Sequence, residues 1–241
     1  PQTGRPLVPV LEAASSRGMR MLSYGRPSYG GSTGRAGRDV ASAAADTAAV
    51  ADAAGVRRFA TIGASGGGPH ALAAAALLPD SVMAAVCLAG VAPFENDPGW
   101  WKGMAAPGAL RAAMRGRAAR VEFAATEEFE PTSFNADDYA ALDGRWSTLG
   151  DDVNASEEWG DDGLIDDDVA FVSPWGFDLA DIRPPVLLVQ GDDDRVIPFE
   201  HAERLHRGIR SSELWRRGAA GHITVLDAVP AALDWIRAQQ L

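Results

Sequence analysis

Short apolar runs separated by segments of helical period mark both ends of the chain, and the middle lacks them. Met19–Tyr24, Arg58–Ile62, Val82–Leu88, Pro185–Gln190 and Glu213–Arg216 read as strands. Between them, Pro6–Arg17 carries Leu7, Val10, Leu11 and Ala14 at helical spacing, and an alanine-rich stretch from about Arg38 to Ala54 ends at Gly55. Ala71–Leu78 is a third helix, closed by Pro79, followed later by Phe199–Ile209 and Ile223–Gln240. Strictly alternating helices and strands need a sheet buried on both faces. The pattern therefore predicts an α/β fold, a mostly parallel sheet with helices on both faces.

From Gly90 to about Pro174 the alternation stops. Only helical stretches are found there, Trp101–Thr126 with interruptions, Asn135–Leu149 and Ser156–Phe171, punctuated by Pro98, Pro107 and Pro131. A long insertion without strands of its own predicts a helical cap over the active edge of the sheet. The expected division is a core of residues 1–91 and 175–241 and a cap of residues 92–174.

Charge sets the same region apart. Val121–Asp168 holds sixteen acids against one base, Arg145, so its excess outweighs the net charge of −11 of the whole 241-residue chain. The expectation is a solvated acidic face, with recognition of a substrate amine as the alternative. An acidic chain argues against nucleic acid as a partner. Apolar residues at 46% and charged residues at 23% are those of a globular protein. No apolar run approaches the ~18 residues that suggest a membrane span. The lone cysteine, Cys87, excludes an internal disulfide and lies in an apolar strand, as core rather than as a nucleophile. With no basic-then-apolar leader in view, a cytoplasmic location is expected.

The chemistry gathers at strand ends. Gly63-Ala64-Ser65-Gly66-Gly67 is a G-x-S-x-G between a strand and a helix. So sharp a turn strains its central residue and needs small neighbours, a duty assigned to Gly63 and Gly67. Ser65 is the candidate nucleophile, and the Gly66 amide at the helix start is left free. The strand Pro185–Gln190 runs into Gly191-Asp192-Asp193-Asp194, and the strand at Leu214 opens into Gly218-Ala219-Ala220-Gly221-His222. A serine hydroxyl needs a base near neutrality, and an imidazole needs a carboxylate to fix its tautomer. Three strand-end loops offer serine, acid and histidine in that order. His70, His201 and His206 lie on helices and are poorer bases for this purpose.

Together these stretches resemble the α/β-hydrolase superfamily. Arg26-Pro27-Ser28-Tyr29-Gly30-Gly31-Ser32 is similar to the R-P-G-Y-G-x-S loop of its proline-iminopeptidase, epoxide-hydrolase and esterase branch. The resemblance implies Ser65, His222 and Asp194 as catalytic residues, Asp194 being the acid of G-x-x-D-x-x-x-P, and Gly66 as one oxyanion donor. It disfavours the branches with an aspartate nucleophile. It also implies strands ahead of the first helix, one of them inserted between the strands at Met19 and Arg58, and a loop before that helix supplying the second oxyanion donor. Since the chain opens within that loop, at Pro1–Thr3, a further N-terminal segment is expected.

The implied activity is ester hydrolysis on a small, largely hydrophobic substrate, without metal or cofactor. Phe94, Trp100, Trp101 and Trp175 are candidates for the pocket, and Trp146, Trp159 and Phe171 for an acyl or alcohol site, or else for holding the cap to the sheet. Iminopeptidases of this branch carry tryptophan after the serine, where this chain has Gly66. An aminopeptidase of that type, a thioester or C–C hydrolase and a non-catalytic receptor or scaffold remain as alternatives.

Overall fold

The sheet has four parallel strands in chain order, β1 (Phe59–Ala64), β2 (Val82–Leu88), β3 (Val186–Gly191) and β4 (Ser212–Arg217). These and the elements below come from a computed structural model that describes residues 2–239. Alternate side chains of the inner strands enter two hydrophobic layers, as a parallel sheet requires. On one face Ala85 and Cys87 of β2 and Val186 and Leu188 of β3 pack with Val40, Leu72 and Leu205. Val40 lies just ahead of α2 (Ser42–Ala53), Leu72 on α3 (Gly67–Leu77) and Leu205 on the helix after β3, Phe199–Gly208. On the other face Val86, Leu88, Leu187 and Val189 pack with Ala13 and Ala14 of α1 (Val8–Ser15) and with Ala232, Leu233 and Ile236 of the last helix, Val229–Ala238. The run Ala73-Ala74-Ala75 is wholly buried, and its small side chains let α3 lie close against the sheet.

Between β2 and β3 the described residues form helices only: α4 (Pro98–Trp101), α5 (Gly108–Ala113), α6 (Arg117–Ala124), α7 (Ala136–Asp143), α8 (Ser147–Ser156) and α9 (Asp162–Phe171). This segment enters both hydrophobic layers, with Trp100 and Phe171 in the first and Trp146 in the second. Helix α7 begins with a capping box, in which Asn135 Oδ1 accepts from the Asp138 N–H at 2.8 Å. The two helices after β3 are α10 (Phe199–Gly208) and α11 (Val229–Ala238). None of the described helices is long and apolar enough to cross a membrane.

Two expected elements differ. Met19–Tyr24 is not a strand, and Arg20–Tyr24 make no backbone–backbone hydrogen bond among the described residues. A strand exists through its ladder, and no described strand lies beside this segment or on the outer edge of β1. The interior strand that the resemblance places between them was expected from residues ahead of Pro1, and β1 is only half-buried along most of its length. The closing helix is also broken. Thr224–Ala228 forms a tighter 3-10 turn, and α11 starts afresh with Pro230 in its first turn, where a missing N–H costs nothing. Its expected last residue, Gln240, lies outside the described residues.

Candidate active site

Ser65 sits where β1 turns into α3, with φ at +51°. That left-handed backbone costs a non-glycine residue about 1–2 kcal/mol. It is held by the Ser65 N–H, which donates to the Leu88 carbonyl at the end of β2 over 2.8 Å. Gly63 lets the turn close, since a Cβ there would stand 2.1 Å from the Gly67 carbonyl oxygen. Gly67 does not share that duty, because a Cβ at 67 would meet nothing within 4 Å. Gly68 takes it instead: its Cβ would lie 2.5 Å from Cys87 Sγ. The Cys87 thiol itself is buried in the core, which pushes its pKa up to about 12.

The loops after β3 and β4 bring two further side chains to Ser65. His222 Nε2 lies 2.9 Å from Ser65 Oγ, and His222 Nδ1 lies 2.8 Å from Asp194 Oδ2. A carboxylate only accepts, so Nδ1 carries a proton and Nε2 of the neutral ring accepts from the Ser65 hydroxyl. Asp194 is buried and fixed from all sides. Its Oδ1 accepts from the N–H groups of Val196 and Ile197, both at 2.9 Å, and its Oδ2 also accepts from Gln190 Nε2 at 2.9 Å. The other two acids of the run are elsewhere: Asp192 pairs with Arg216 at 2.6 Å, and Asp193 faces solvent. Burial works to lower the pKa of His222. The charge and hydrogen bond of Asp194, joined by the charge of Asp138, outweigh it and hold the imidazole above its ordinary value.

The Gly66 amide has no hydrogen-bond partner among the described residues and stands next to Ser65. In the loop expected to supply a second donor, the Thr3 N–H donates to Asp152 Oδ2 at 2.9 Å. Pro1 lies outside the described residues. The Gly66 carbonyl accepts from His70 Nδ1 at 2.7 Å, while His70 Nε2 faces Arg26 Nη1 at 3.1 Å. Burial, then the Arg26 charge, lowers the pKa of His70 to about 3, so this ring is a neutral strut.

Two aromatic groups lie against the site, Phe171, which was expected there, and Phe134, which was not. Phe134 stacks on the His222 imidazole, with centroids 6.5 Å apart and planes 11° apart. Phe171 lies over Gly66, where a Cβ would meet its ring at 3.1 Å. Trp100 is fully buried, its Nε1 donating to the Pro93 carbonyl at 3.0 Å, and packs edge-on against Trp101, Phe94 and His201. Trp175 is buried too, with its Nε1 bonded to the Phe171 carbonyl. These four pocket candidates form a packed cluster (Trp100, Trp101, Phe94) and a core residue (Trp175). Trp146 is likewise buried and bonds Asp227, whereas Trp159 is exposed and lies against Gly31. A cleft of about 570 Å³ is lined by Val8, Glu12, Arg17, Arg145 and Thr148 among others, away from Ser65.

The acidic segment is not simply a solvated face. Asp138, Asp152, Asp166, Asp167 and Asp168 are buried. Asp167 accepts from Arg26, Arg38 and Tyr29 Oη (2.7 Å), Asp168 from Arg120 at 2.7 Å and Asp166 from Arg117 at 2.7 Å. The loop Arg26–Ser32 is thus pinned to α9 by the Arg26–Asp167 ion pair and the Tyr29 hydroxyl. Among the described residues no group of three or more His, Cys, Asp or Glu side chains is arranged to hold a metal ion.

The family model for the alpha/beta hydrolase fold matches residues 5–229. The chain belongs to that family. As an alpha/beta hydrolase, it is similar over 99% of its length to a thermophilic esterase from Thermogutta terrifontis (TM-score 0.70, 19% identity, 88% of that chain covered). It is also similar over 97% of its length to an esterase from Exiguobacterium antarcticum (TM-score 0.66, 21% identity, 89% of that chain covered). Identities this low speak to the fold. Among curated proteins, the AB hydrolase superfamily protein YisY of Bacillus subtilis is 44% identical over 45 residues, a match spanning 19% of this chain and 17% of that protein.

Proposed function

We propose that this alpha/beta hydrolase is a serine esterase that cleaves a carboxylic ester of a small, largely hydrophobic substrate through an acyl-enzyme. The observation that carries the reading is the continuous chain Asp194–His222–Ser65, with both contacts under 3 Å. Ser65 Oγ attacks the ester carbonyl as His222 Nε2 takes its proton. The tetrahedral oxyanion accepts from the Gly66 N–H, an interaction worth about 3–4 kcal/mol. His222 then protonates the departing alcohol, leaving the acyl group on Ser65. Water, deprotonated by the same nitrogen, releases the acid and restores the hydroxyl. Asp194 keeps Nδ1 protonated and balances the imidazolium throughout.

An ester is favoured over a peptide by position 66. The tryptophan that marks the peptidase branch would have to displace Phe171 here. The two esterases among the structural neighbours are in keeping with this choice. The buried, lone Cys87 suits a reducing, cytoplasmic setting. Turnover of p-nitrophenyl butyrate by wild type and by Ser65→Ala tests the proposal. A fall of at least about 10⁴-fold is expected, and a variant as active as wild type contradicts it. No turnover of any short ester by the wild type would favour a non-catalytic scaffold.

A further inference from the structure

We propose that Asp138, carried by α7 between β2 and β3, is a positioning residue that fastens the loop bearing His222 and presents a second negative charge to its imidazole. The inference rests on the esterase reading and extends its machinery into the inserted helices. Asp138 is completely buried, and five donors converge on its carboxylate. Oδ2 accepts from the His222 N–H at 3.0 Å and the Asn135 N–H at 3.3 Å. Oδ1 accepts from the N–H groups of Ile223 and Thr224, each at 2.9 Å, and from Thr224 Oγ1 at 3.0 Å. Three successive backbone amides, beginning with that of His222 itself, are therefore gripped by one side chain from 84 residues upstream.

The loop is shaped to receive it. A Cβ at Gly221 would stand 2.0 Å from Asp138 Oδ2, so only glycine admits the carboxylate this close. Phe134, four residues before Asp138, stacks on the imidazole ring. One short segment thus holds the backbone of His222 through Asp138 and its ring through Phe134. A helix cap alone would need one or two of these bonds. It would not need the charge to face the base. The charged groups acting on His222 are Asp194, from the loop after β3, and Asp138; both favour the protonated ring, against its burial.

Asp138→Asn keeps an acceptor for the Ile223 and Thr224 amides, removes the charge and turns an NH₂ group toward the His222 N–H. The test follows the His222 imidazole by NMR titration and, in parallel, the rate at which a fluorophosphonate labels Ser65 across the pH range. In Asp138→Asn the titration midpoint is expected to fall by about one unit, and labelling above that midpoint to slow by about ten- to a hundredfold. A purely structural Asp138 would leave the midpoint where it is. An unshifted midpoint with wild-type labelling overturns the proposal. Should Asp138→Asn fail to fold, Thr224→Val keeps the charge and removes two bonds of the loop, from Thr224 Oγ1 to Asp138 Oδ1 and from the Gly221 N–H to Thr224 Oγ1. Slower labelling with an unchanged midpoint is then expected, and wild-type labelling counts against the proposal. A wild type that never labels at Ser65 overturns the esterase reading instead, while the titration still decides whether Asp138 acts on His222.

Discussion

Opposing effects meet on His222. Its side chain is only 10% exposed, and burial disfavours the imidazolium, yet two carboxylates raise its pKa above the ordinary value near 6.5. The neutral ring is the one that accepts the Ser65 proton. The acid limb of kcat/KM for an ester is therefore expected to inflect above about 6.5. An inflection well below that value would mean that burial wins. The same shift has a stability sign. A group whose pKa is higher folded than unfolded gives stability that is complete below the unfolded value and is lost as pH rises through the folded one. Urea unfolding of wild type should accordingly lose stability as pH rises from 6 through the folded pKa, relative to His222→Gln; parallel curves would contradict this. The convergence of Ser65, His222 and Asp194 was legible in the sequence because each lies in the loop after a strand, two of them inside recognisable motifs. Asp138 was not. Its partners are 84 residues away, and its local surroundings read only as one acid among many. Gly221 was visible as part of a glycine-containing loop, but the carboxylate it makes room for was not.

Among elements, α9 shows how three adjacent acids divide their work. Successive helical residues point about 100° apart, so Asp166 and Asp168 reach Arg117 and Arg120 of α6, while Asp167 turns to Arg26 and Arg38. Burial works against the charged form of Asp167, but the charge and hydrogen bond of Arg26, helped by the charge of Arg38, hold its pKa far below the usual carboxylate range. Removing this carboxylate leaves the buried Arg38 guanidinium without its counter-ion. Asp167→Ala is expected to cost about 3–5 kcal/mol in urea unfolding. Asp162→Ala, which removes an exposed partner of Arg117, should cost no more than about 1 kcal/mol. Equal losses would show that burial does not govern these pairs. Helix and strand periodicity could place α9 but not its partners, because ion pairing across the fold leaves no periodic trace. Met19–Tyr24 illustrates the reverse error. Its apolar pattern fits a strand, but a strand also needs a neighbour, and local pattern says nothing of that.

At the scale of the molecule, β2 and β3 were legible because both their faces are buried, so their sequences are nearly unbroken apolar runs. The inserted helices were recognisable as helices, but their course was not. They contribute Trp100 to one hydrophobic layer and Trp146 to the other, and they bring Phe134 and Asp138 to the base. A segment that stood out for its charge is therefore built into the core and the site alike. In the proposed function, Ser65, His222 and Asp194, spread over three loops, work as one nucleophilic unit. Mass spectrometry of the protein after treatment with a fluorophosphonate tests this most directly. The account predicts one adduct per chain on the tryptic peptide Phe59–Lys102, placed by fragment ions on Ser65 rather than Ser81, absent in Ser65→Ala and strongly slowed in His222→Gln. No adduct on Ser65, or equal labelling of Ser65→Ala at another site, would contradict it.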